Sequence, residues 1–110
     1  MAVKNTAERV YNVSWEDICR VLRNPDFSQC IDAEFLEQAI MPDGTEFRFV
    51  RKTTLTRYGR NYNVKVKKLT DTEVNVAVMT QSRKVTVLID PQWKAEVNRI
   101  FGFIDMLLRR

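Results

Sequence analysis

Apolar residues recur at steps of three and four along the last twenty residues of the chain. The positions are Trp93, Val97, Ile100, Phe101, Ile104, Leu107 and Leu108. This spacing is the period of one face of an α-helix. Asp90 followed by Pro91 is typical of a helix start, because the Asp side chain accepts hydrogen bonds from free backbone N–H groups and Pro has no N–H to leave unpaired. The pattern predicts an amphipathic helix over residues 90–110, whose wide apolar face must be covered by the rest of the chain.

Apolar and polar residues alternate strictly in the middle of the chain, which predicts β-strands. The apolar members are Tyr62, Val64 and Val66, then Val74, Val76 and Val78, then Val85, Val87 and Ile89. A longer strand is predicted over residues 46–58, with Phe47, Phe49 and Leu55 on its inner side. Breaks at residues 58–61, 70–72 and 81–83 separate these segments. We therefore expect an antiparallel meander of four strands, with one face buried and one face wet.

The first forty-four residues predict a strand, two helices and a turn. Residues 3–13 alternate loosely and are interpreted as a strand. Ser14 begins a short helix that ends at Asn24 and Pro25. A second helical segment is predicted over residues 27–40, followed by a turn at 41–44. Its apolar residues are Cys30, Ile31, Phe35, Leu36 and Ile40, and its acids Asp32, Glu34 and Glu37 are expected to face water.

These elements predict one α+β domain spanning residues 1–110. Its expected architecture is a curved antiparallel sheet of about five strands packed on a long C-terminal helix. Two short helices follow the first strand. A chain of 110 residues is long enough to bury a single core without disulfides or metals.

Several kinds of catalytic or metal site are excluded by composition. The chain has no histidine, two cysteines and three scattered glycines. It therefore has no imidazole base, no tetrahedral cysteine zinc site and no glycine-rich phosphate loop. We expect a protein that is not an enzyme and that uses no cofactor and no metal.

The same composition gives an expectation for the compartment. No apolar run reaches the roughly 20 residues of a membrane span, and the first residues lack the apolar core of a signal peptide. We expect a cytoplasmic protein in which Cys19 and Cys30 are free thiols.

Positive charge is concentrated in one part of the chain. Eight Lys or Arg residues and no acid lie between Phe47 and Lys68. Strand alternation places several of them on the outer face of the sheet: Arg48, Lys52, Lys65 and Lys67, with Lys68 close to the turn. Two interpretations stay open, a solvated sheet face and a surface that binds nucleic acid or another polyanion. Nucleic acid is the less favoured partner, because exposed aromatic residues for base stacking are nearly absent from this face.

Three stretches of the chain resemble a known superfamily. They are the opening strand followed by Ser14-Trp15-Glu16-Asp17-Ile18, then Leu22-Arg23-Asn24-Pro25, and the amphipathic residues 93–108. In this order they resemble the helix-grip fold of the START/polyketide-cyclase/Bet v 1-like superfamily. The resemblance implies a curved sheet that wraps the last helix. It carries over no catalytic residue.

Two interpretations are open for the mostly aromatic residues that are expected between the sheet and the last helix. They line a cavity for a small hydrophobic or amphipathic ligand, or they fill a dry core at the usual interior density. The candidate residues are Phe47, Phe49, Arg51, Tyr62, Trp93, Val97 and Phe101.

Arg51 separates these two interpretations. It shares the inward phase of Phe47 and Phe49, so regular alternation turns it toward the terminal helix, where it could meet an anionic ligand group. A bulge near residues 50–52, or a strand end that overhangs the helix, would instead return it to solvent.

A third class of function is a protein-interaction module or homodimer. Met79 and Leu88 fall on the outward phase beside Ala77, and Phe103 and Met106 flank the helix stripe. Together they could form a modest apolar patch for a second protein.

Overall fold

The computed structural model describes residues 5–83 and 92–110. Its elements are β1 (Asn5–Tyr11), α1 (Trp15–Arg23), α2 (Pro25–Ile31), β2 (Glu34–Met41), β3 (Gly44–Arg51), β4 (Arg60–Thr70), β5 (Glu73–Ser82) and α3 (Trp93–Leu108). The five strands form one antiparallel sheet in the order β1-β5-β4-β3-β2. The α+β helix-grip architecture predicted from the sequence is confirmed. No helix in the described part of the chain is long and apolar enough to cross a membrane.

The core lies between one face of this sheet and the helices. Alternate residues in the middle of β4 and β5 are fully buried, as the alternation predicts: Val64, Val66, Val74, Val76 and Val78. From α3, Val97, Ile100, Phe101, Ile104 and Leu107 are buried against them. These apolar side chains hold the sheet and helix together through the area they remove from water.

The two short helices meet at a single residue, Asn24. Ser14 begins α1 by accepting a hydrogen bond from the Asp17 backbone N–H. Asn24 ends α1 and also begins α2, where its side chain accepts from the Asp26 N–H. Pro25 then occupies the first turn of α2, where a missing N–H costs nothing. The predicted first helix is therefore confirmed.

The prediction of a second helix over residues 27–40 is confirmed for residues 27–31 and wrong for the rest. α2 ends at Ile31, and Asp32 turns the chain in a left-handed conformation with φ 56°. The following residues form β2, which pairs with β3 across a two-residue loop. The apolar residues of this stretch are compatible with either structure, so pairing with β3 decides the outcome. As an edge strand, β2 leaves Phe35, Leu36 and Ile40 substantially exposed, Ile40 by 82%.

The predicted strand over residues 46–58 is too long. Pairing between β3 and β4 ends at Arg51 opposite Arg60, and a loop follows. Leu55 in this loop is fully exposed, so its predicted inward position is wrong. Gly59 closes the loop against β3, where an added Cβ would lie 2.3 Å from the Arg51 carbonyl oxygen. No side chain larger than hydrogen fits that approach.

The terminal helix is confirmed over its described length. The predicted start at Asp90 and Pro91 and the predicted strand at residues 85–89 lie outside the described residues. Trp93, in the first turn of α3, is partly buried and packs against the core.

Candidate functional site

Arg51 is the last residue of β3 and points toward α3. Pairing between β3 and β4 runs without a register shift from Gly44 to Arg51, so Arg51 keeps the inward phase of Phe47 and Phe49. Its side chain is 14% exposed, and its Nη1 atom lies 3.8 Å from Oε1 of Glu96 on α3. The structure therefore places Arg51 inward, without the bulge or overhang that would have left it in solvent.

Glu96 receives hydrogen bonds from two other side chains. Its Oε2 atom accepts from the Tyr62 hydroxyl at 3.0 Å and from Arg99 at 2.9 Å. Arg99 also donates to the carbonyl oxygens of Cys30 and Ile31 at the end of α2. This network joins β4, α2 and α3, and it satisfies Glu96 without using Arg51 as a hydrogen-bond donor.

Burial and the charges in this network shift the pKa values of Glu96, Tyr62 and Arg99, the last of which is raised by Glu96. Burial disfavours the ionised form of Glu96, but the hydrogen bond and charge of Arg99, with Tyr62 and Arg51, outweigh burial and hold the Glu96 pKa below its usual range. Burial, together with the negative charge of Glu96, raises the pKa of Tyr62 to about 12. Glu96 is therefore an anion and Tyr62 a neutral hydrogen-bond donor near pH 7.

The Nε atom of Arg51 is buried and has no hydrogen-bond partner in the described part of the chain. The guanidinium carbon lies 5.9 Å from the centre of the Tyr62 ring. Buried donors in folded proteins are nearly always paired, and the exceptions call for an explanation. Arg51 thus has one unpaired N–H donor, its Nε–H, at the end of β3.

Arg51 also lines an open pocket of about 550 Å³. The pocket lies where the end of α2, the start of β2, the end of β3 and the following loop meet. We call it the Arg51 pocket. Its lining residues are Ser28, Gln29, Asp32, Ala33, Glu34, Val50, Arg51, Lys52, Thr54 and Arg57.

The other charged residues of the Arg51 pocket are paired with each other. Arg57 of the loop donates a hydrogen bond to Asp32 at the end of α2, and this contact lowers the Asp32 pKa. Lys52 lies 3.8 Å from Glu34. These pairs span the pocket from the loop to α2 and β2, whereas Arg51 shares the carboxylate of Glu96 with Arg99.

The remaining ligand-cavity candidates lie in or against the core. Phe47, Phe49, Tyr62, Val97 and Phe101 are at most 2% exposed. Phe49 packs edge-to-face on Phe27, with ring centroids 5.4 Å apart. Of the seven candidates, Arg51 alone lines the Arg51 pocket. Direct ligand contact by the other six stays a prediction.

Sequence reasoning missed Glu96, Asp32 and Arg57. For Glu96 a signal was present, since it lies three residues after Trp93 and four before Ile100, on the apolar stripe of α3. An acid at such a position has to be paired. Asp32 was interpreted as part of a helix and Arg57 as part of a strand, so neither could be placed at this pocket.

Three of the five predicted basic surface residues share the outer face of the sheet. Arg48, Lys65 and Lys67 lie on the phase opposite to Phe47 and Val64. Lys52 instead lies beyond the end of β3. Lys68 lies on the inward phase of Val66, past the edge of the core, where it is exposed. Of the four residues predicted for the outer face, Arg48, Lys65 and Lys67 therefore lie on it and Lys52 does not.

Acidic residues accompany these cations. Arg48 donates hydrogen bonds to Glu46 and Glu37, and Lys67 lies 3.8 Å from Asp43. Lys65 lies directly opposite Glu46 on the neighbouring strand. The outer face is consequently a surface of mixed charge.

The apolar patch proposed for protein interaction is divided in the structure. Met79 and Ala77 lie on the outer face of β5 and are partly buried, whereas Leu88 lies outside the described residues. Met106 on α3 is 37% exposed, and Phe103 packs against the core. The larger exposed apolar group lies on β2.

Among the residues that the structure describes, no group of three potential metal ligands converges. Cys19 and Cys30 are free thiols, and burial raises the pKa of Cys19.

Comparisons with known proteins identify the fold. Neither a scan against models of protein families nor a search of curated protein sequences gave a match. The crystal structure of Ara h 8.0201, a Bet v 1 family allergen, superposes with a TM-score of 0.60 at 9% identity, over 100% of both chains. Similarity is weaker to TTHA0849 from Thermus thermophilus, with a TM-score of 0.49 at 12% identity over 97% of both chains. A protein of unknown function from Staphylococcus aureus, SA2116, gives 0.48 at 12% identity over 99% of this chain and 94% of that one. The chain has a Bet v 1-like helix-grip fold.

Proposed function

We propose that the protein is a non-enzymatic domain that binds one small amphipathic molecule in the Arg51 pocket. The observation that carries this proposal is the inward Arg51 side chain, whose buried Nε lacks a partner and which lines a pocket of about 550 Å³. Pockets of this size accommodate small organic ligands. A polar group of the ligand would complete the hydrogen bonding of Arg51, which offsets the cost of keeping this charge out of water.

The rest of the pocket suits the apolar part of such a molecule. Ala33 and Val50 supply apolar surface, and the aliphatic stems of Lys52 and Arg57 supply more. Phe47, Phe49 and Tyr62 fill the space under the sheet. This packing favours a small ligand held at the end of β3 over a long one that runs the length of α3.

The Bet v 1-like fold is compatible with ligand binding but does not identify a ligand, since one fold supports many functions. The proposal therefore depends on the residues of this chain that line the Arg51 pocket. We also place the protein in the cytoplasm, where the free thiols of Cys19 and Cys30 would stay reduced.

The test is a two-dimensional ¹H–¹⁵N NMR titration of the labelled protein with a panel of small amphiphiles. We expect at least one compound to shift the amide signals of Ala33, Val50 and Thr54 progressively to saturation. Amides of the β4–β5 turn, near Asp71, should not move. A panel that shifts no pocket amide, or only amides remote from Arg51, would contradict the proposal.

A second candidate function is self-association through the edge strand β2. The observation in its favour is the exposure of three apolar residues there, Phe35 by 44%, Leu36 by 57% and Ile40 by 82%. An exposed edge strand offers free backbone groups to a second strand. Sedimentation velocity should show a dimer that Ile40→Lys dissociates and Leu55→Lys, on the loop, does not. A monomer at all concentrations would exclude this candidate.

A further inference from the structure

We infer that the molecule bound in the Arg51 pocket carries one negative charge, on a planar carboxylate. This inference rests on the proposed function and adds the chemical class of the ligand. It comes from the balance of charges around the pocket and from the way in which those charges are already paired.

The cations around the pocket outnumber the anions by one. The pocket is lined by Arg51, Lys52 and Arg57, and Arg99 lies behind it. The carboxylates are those of Asp32 and Glu34 in the lining and Glu96 behind it. Four positive charges thus face three negative charges, so a ligand with a single negative charge makes this region neutral.

The unbalanced charge belongs to Arg51. Arg57 is hydrogen-bonded to Asp32, Lys52 lies beside Glu34, and Arg99 is hydrogen-bonded to Glu96 at 2.9 Å. Arg51 lies 3.8 Å from Glu96, which is as far as Lys52 lies from Glu34 and too long for a hydrogen bond. Lys52 has Glu34 to itself among the described residues, whereas Arg51 shares Glu96 with the hydrogen-bonded Arg99. A ligand anion therefore finds its strongest attraction at Arg51, because a side chain that is only 14% exposed is screened less by solvent than the exposed Lys52 and Arg57.

The geometry of Arg51 favours a carboxylate over other anions. A guanidinium group presents planar, parallel N–H donors that match the two oxygens of a carboxylate. The unpartnered Nε is buried, so it can take part in such a pair once the Arg51 side chain moves slightly toward the ligand. A phosphate monoester carries nearly two negative charges at pH 7. Its second charge would be repelled by Asp32 and Glu34 in the pocket lining.

A set of ligands with closely matched tails tests the inference. Octanoate and octanamide have the same alkyl tail and differ only in the head group, and the tails of octylamine and octyl phosphate are one methylene longer. Each compound is titrated below its micelle concentration by NMR or calorimetry. We expect octanoate to bind at least tenfold more tightly than octanamide and more tightly than octyl phosphate. Octylamine should not bind at Arg51.

Two variants and one control locate the effect. Arg51→Leu should abolish the preference for octanoate over octanamide. Arg51→Lys keeps the charge but loses the planar donors, so it should weaken octanoate at least several-fold. Lys65→Leu removes a cation from the outer face of the sheet and should leave octanoate binding unchanged. Thermal unfolding of each variant verifies that it is folded.

The outcomes separate this inference from the function on which it rests. If no ligand of any head group binds in the Arg51 pocket, the proposed function falls. If octanoate and octanamide bind there equally, the function stands and the carboxylate inference is wrong. The inference is equally wrong if octyl phosphate binds more tightly than octanoate, or if folded Arg51→Leu or Arg51→Lys protein retains full octanoate affinity.

Discussion

Arg51 of β3 and Glu96 of α3 face each other across 3.8 Å, close enough for attraction but too far apart for a hydrogen bond. The two residues join the end of the sheet to the first turns of the helix. Glu96 meets its hydrogen-bonding needs through Tyr62 and Arg99. The contribution of Arg51 to stability is consequently small.

Arg51→Leu should therefore change the free energy of unfolding by less than about 1 kcal/mol, because the substitution removes a poorly paired buried charge and keeps apolar volume. Urea unfolding measures this. Arg99→Leu is the comparison: it removes one of the two donors to Glu96 and the donor to the carbonyl oxygens of Cys30 and Ile31. It should cost about 2 kcal/mol. Equal losses in the two variants would mean that Arg51 has a structural role.

Because the pKa of Glu96 is lowered in the folded protein, the free energy of unfolding should depend on pH in the acidic range. A carboxyl group whose pKa is lower in the folded state contributes stability that is present above its unfolded pKa, about 4.3, and is lost as the pH falls through the folded value. Stability should therefore fall more steeply below about pH 4 in the natural protein than in Glu96→Gln. Urea midpoints across pH 2–7 measure this. Parallel curves for the two proteins would contradict the assigned environment of Glu96.

Gly102 has no packing role in the described structure. It lies in the middle of α3, and an added Cβ would meet nothing within 4 Å. Gly102→Ala should stabilise the protein by about 0.5–1 kcal/mol, because alanine loses less conformational freedom in a helix. Gly44→Ala is the opposite case, since its Cβ would lie 2.0 Å from the Val66 carbonyl oxygen. Thermal unfolding should rank Gly102→Ala above the natural protein and Gly44→Ala below it. A destabilised Gly102→Ala would show that the helix needs glycine there.

Phe49 and Leu55 were both predicted to face inward, but only Phe49 does. Phe49→Ala removes a ring packed on Phe27 and should cost about 3–5 kcal/mol. Leu55→Ala should change stability by no more than about 0.5 kcal/mol, since an exposed side chain buries no area on folding. Denaturant unfolding of the two variants measures both changes in the free energy of unfolding. A large loss in Leu55→Ala would mean that the loop after β3 packs inward.

The regular parts of the fold were predictable because their patterns have a single interpretation. Alternation at Val64, Val66 and Val76 is compatible only with strands that have one buried face, and the stripe from Val97 to Leu107 only with a helix. Ser14 and Asn24 mark helix ends by their side-chain hydrogen bonds to the backbone. Short-range patterns of side chains were sufficient to predict these segments.

Residues 32–41 were not predictable in this way. Phe35, Leu36 and Ile40 fit a helical spacing as well as an edge strand, and the choice depends on pairing with β3, which is a long-range contact. The end of β3 at Arg51 likewise depends on the loop that Gly59 closes against it. The inward phase of Arg51 was one of two open alternatives, and the unbroken register between β3 and β4 decides it. The pocket around Arg51 was not predictable, because it requires the strand β2 and the turn at Asp32.

The NMR signal of the Arg51 Nε–H shows whether this buried group receives the ligand. The signal is assigned by comparison with Arg51→Lys and followed as octanoate is added to the ¹⁵N-labelled protein. We expect the signal to shift to lower field and its exchange with water to slow at saturation, because a hydrogen bond forms where none existed. An Arg51 Nε–H signal that stays unchanged while octanoate saturates the protein would mean that Arg51 does not receive the ligand.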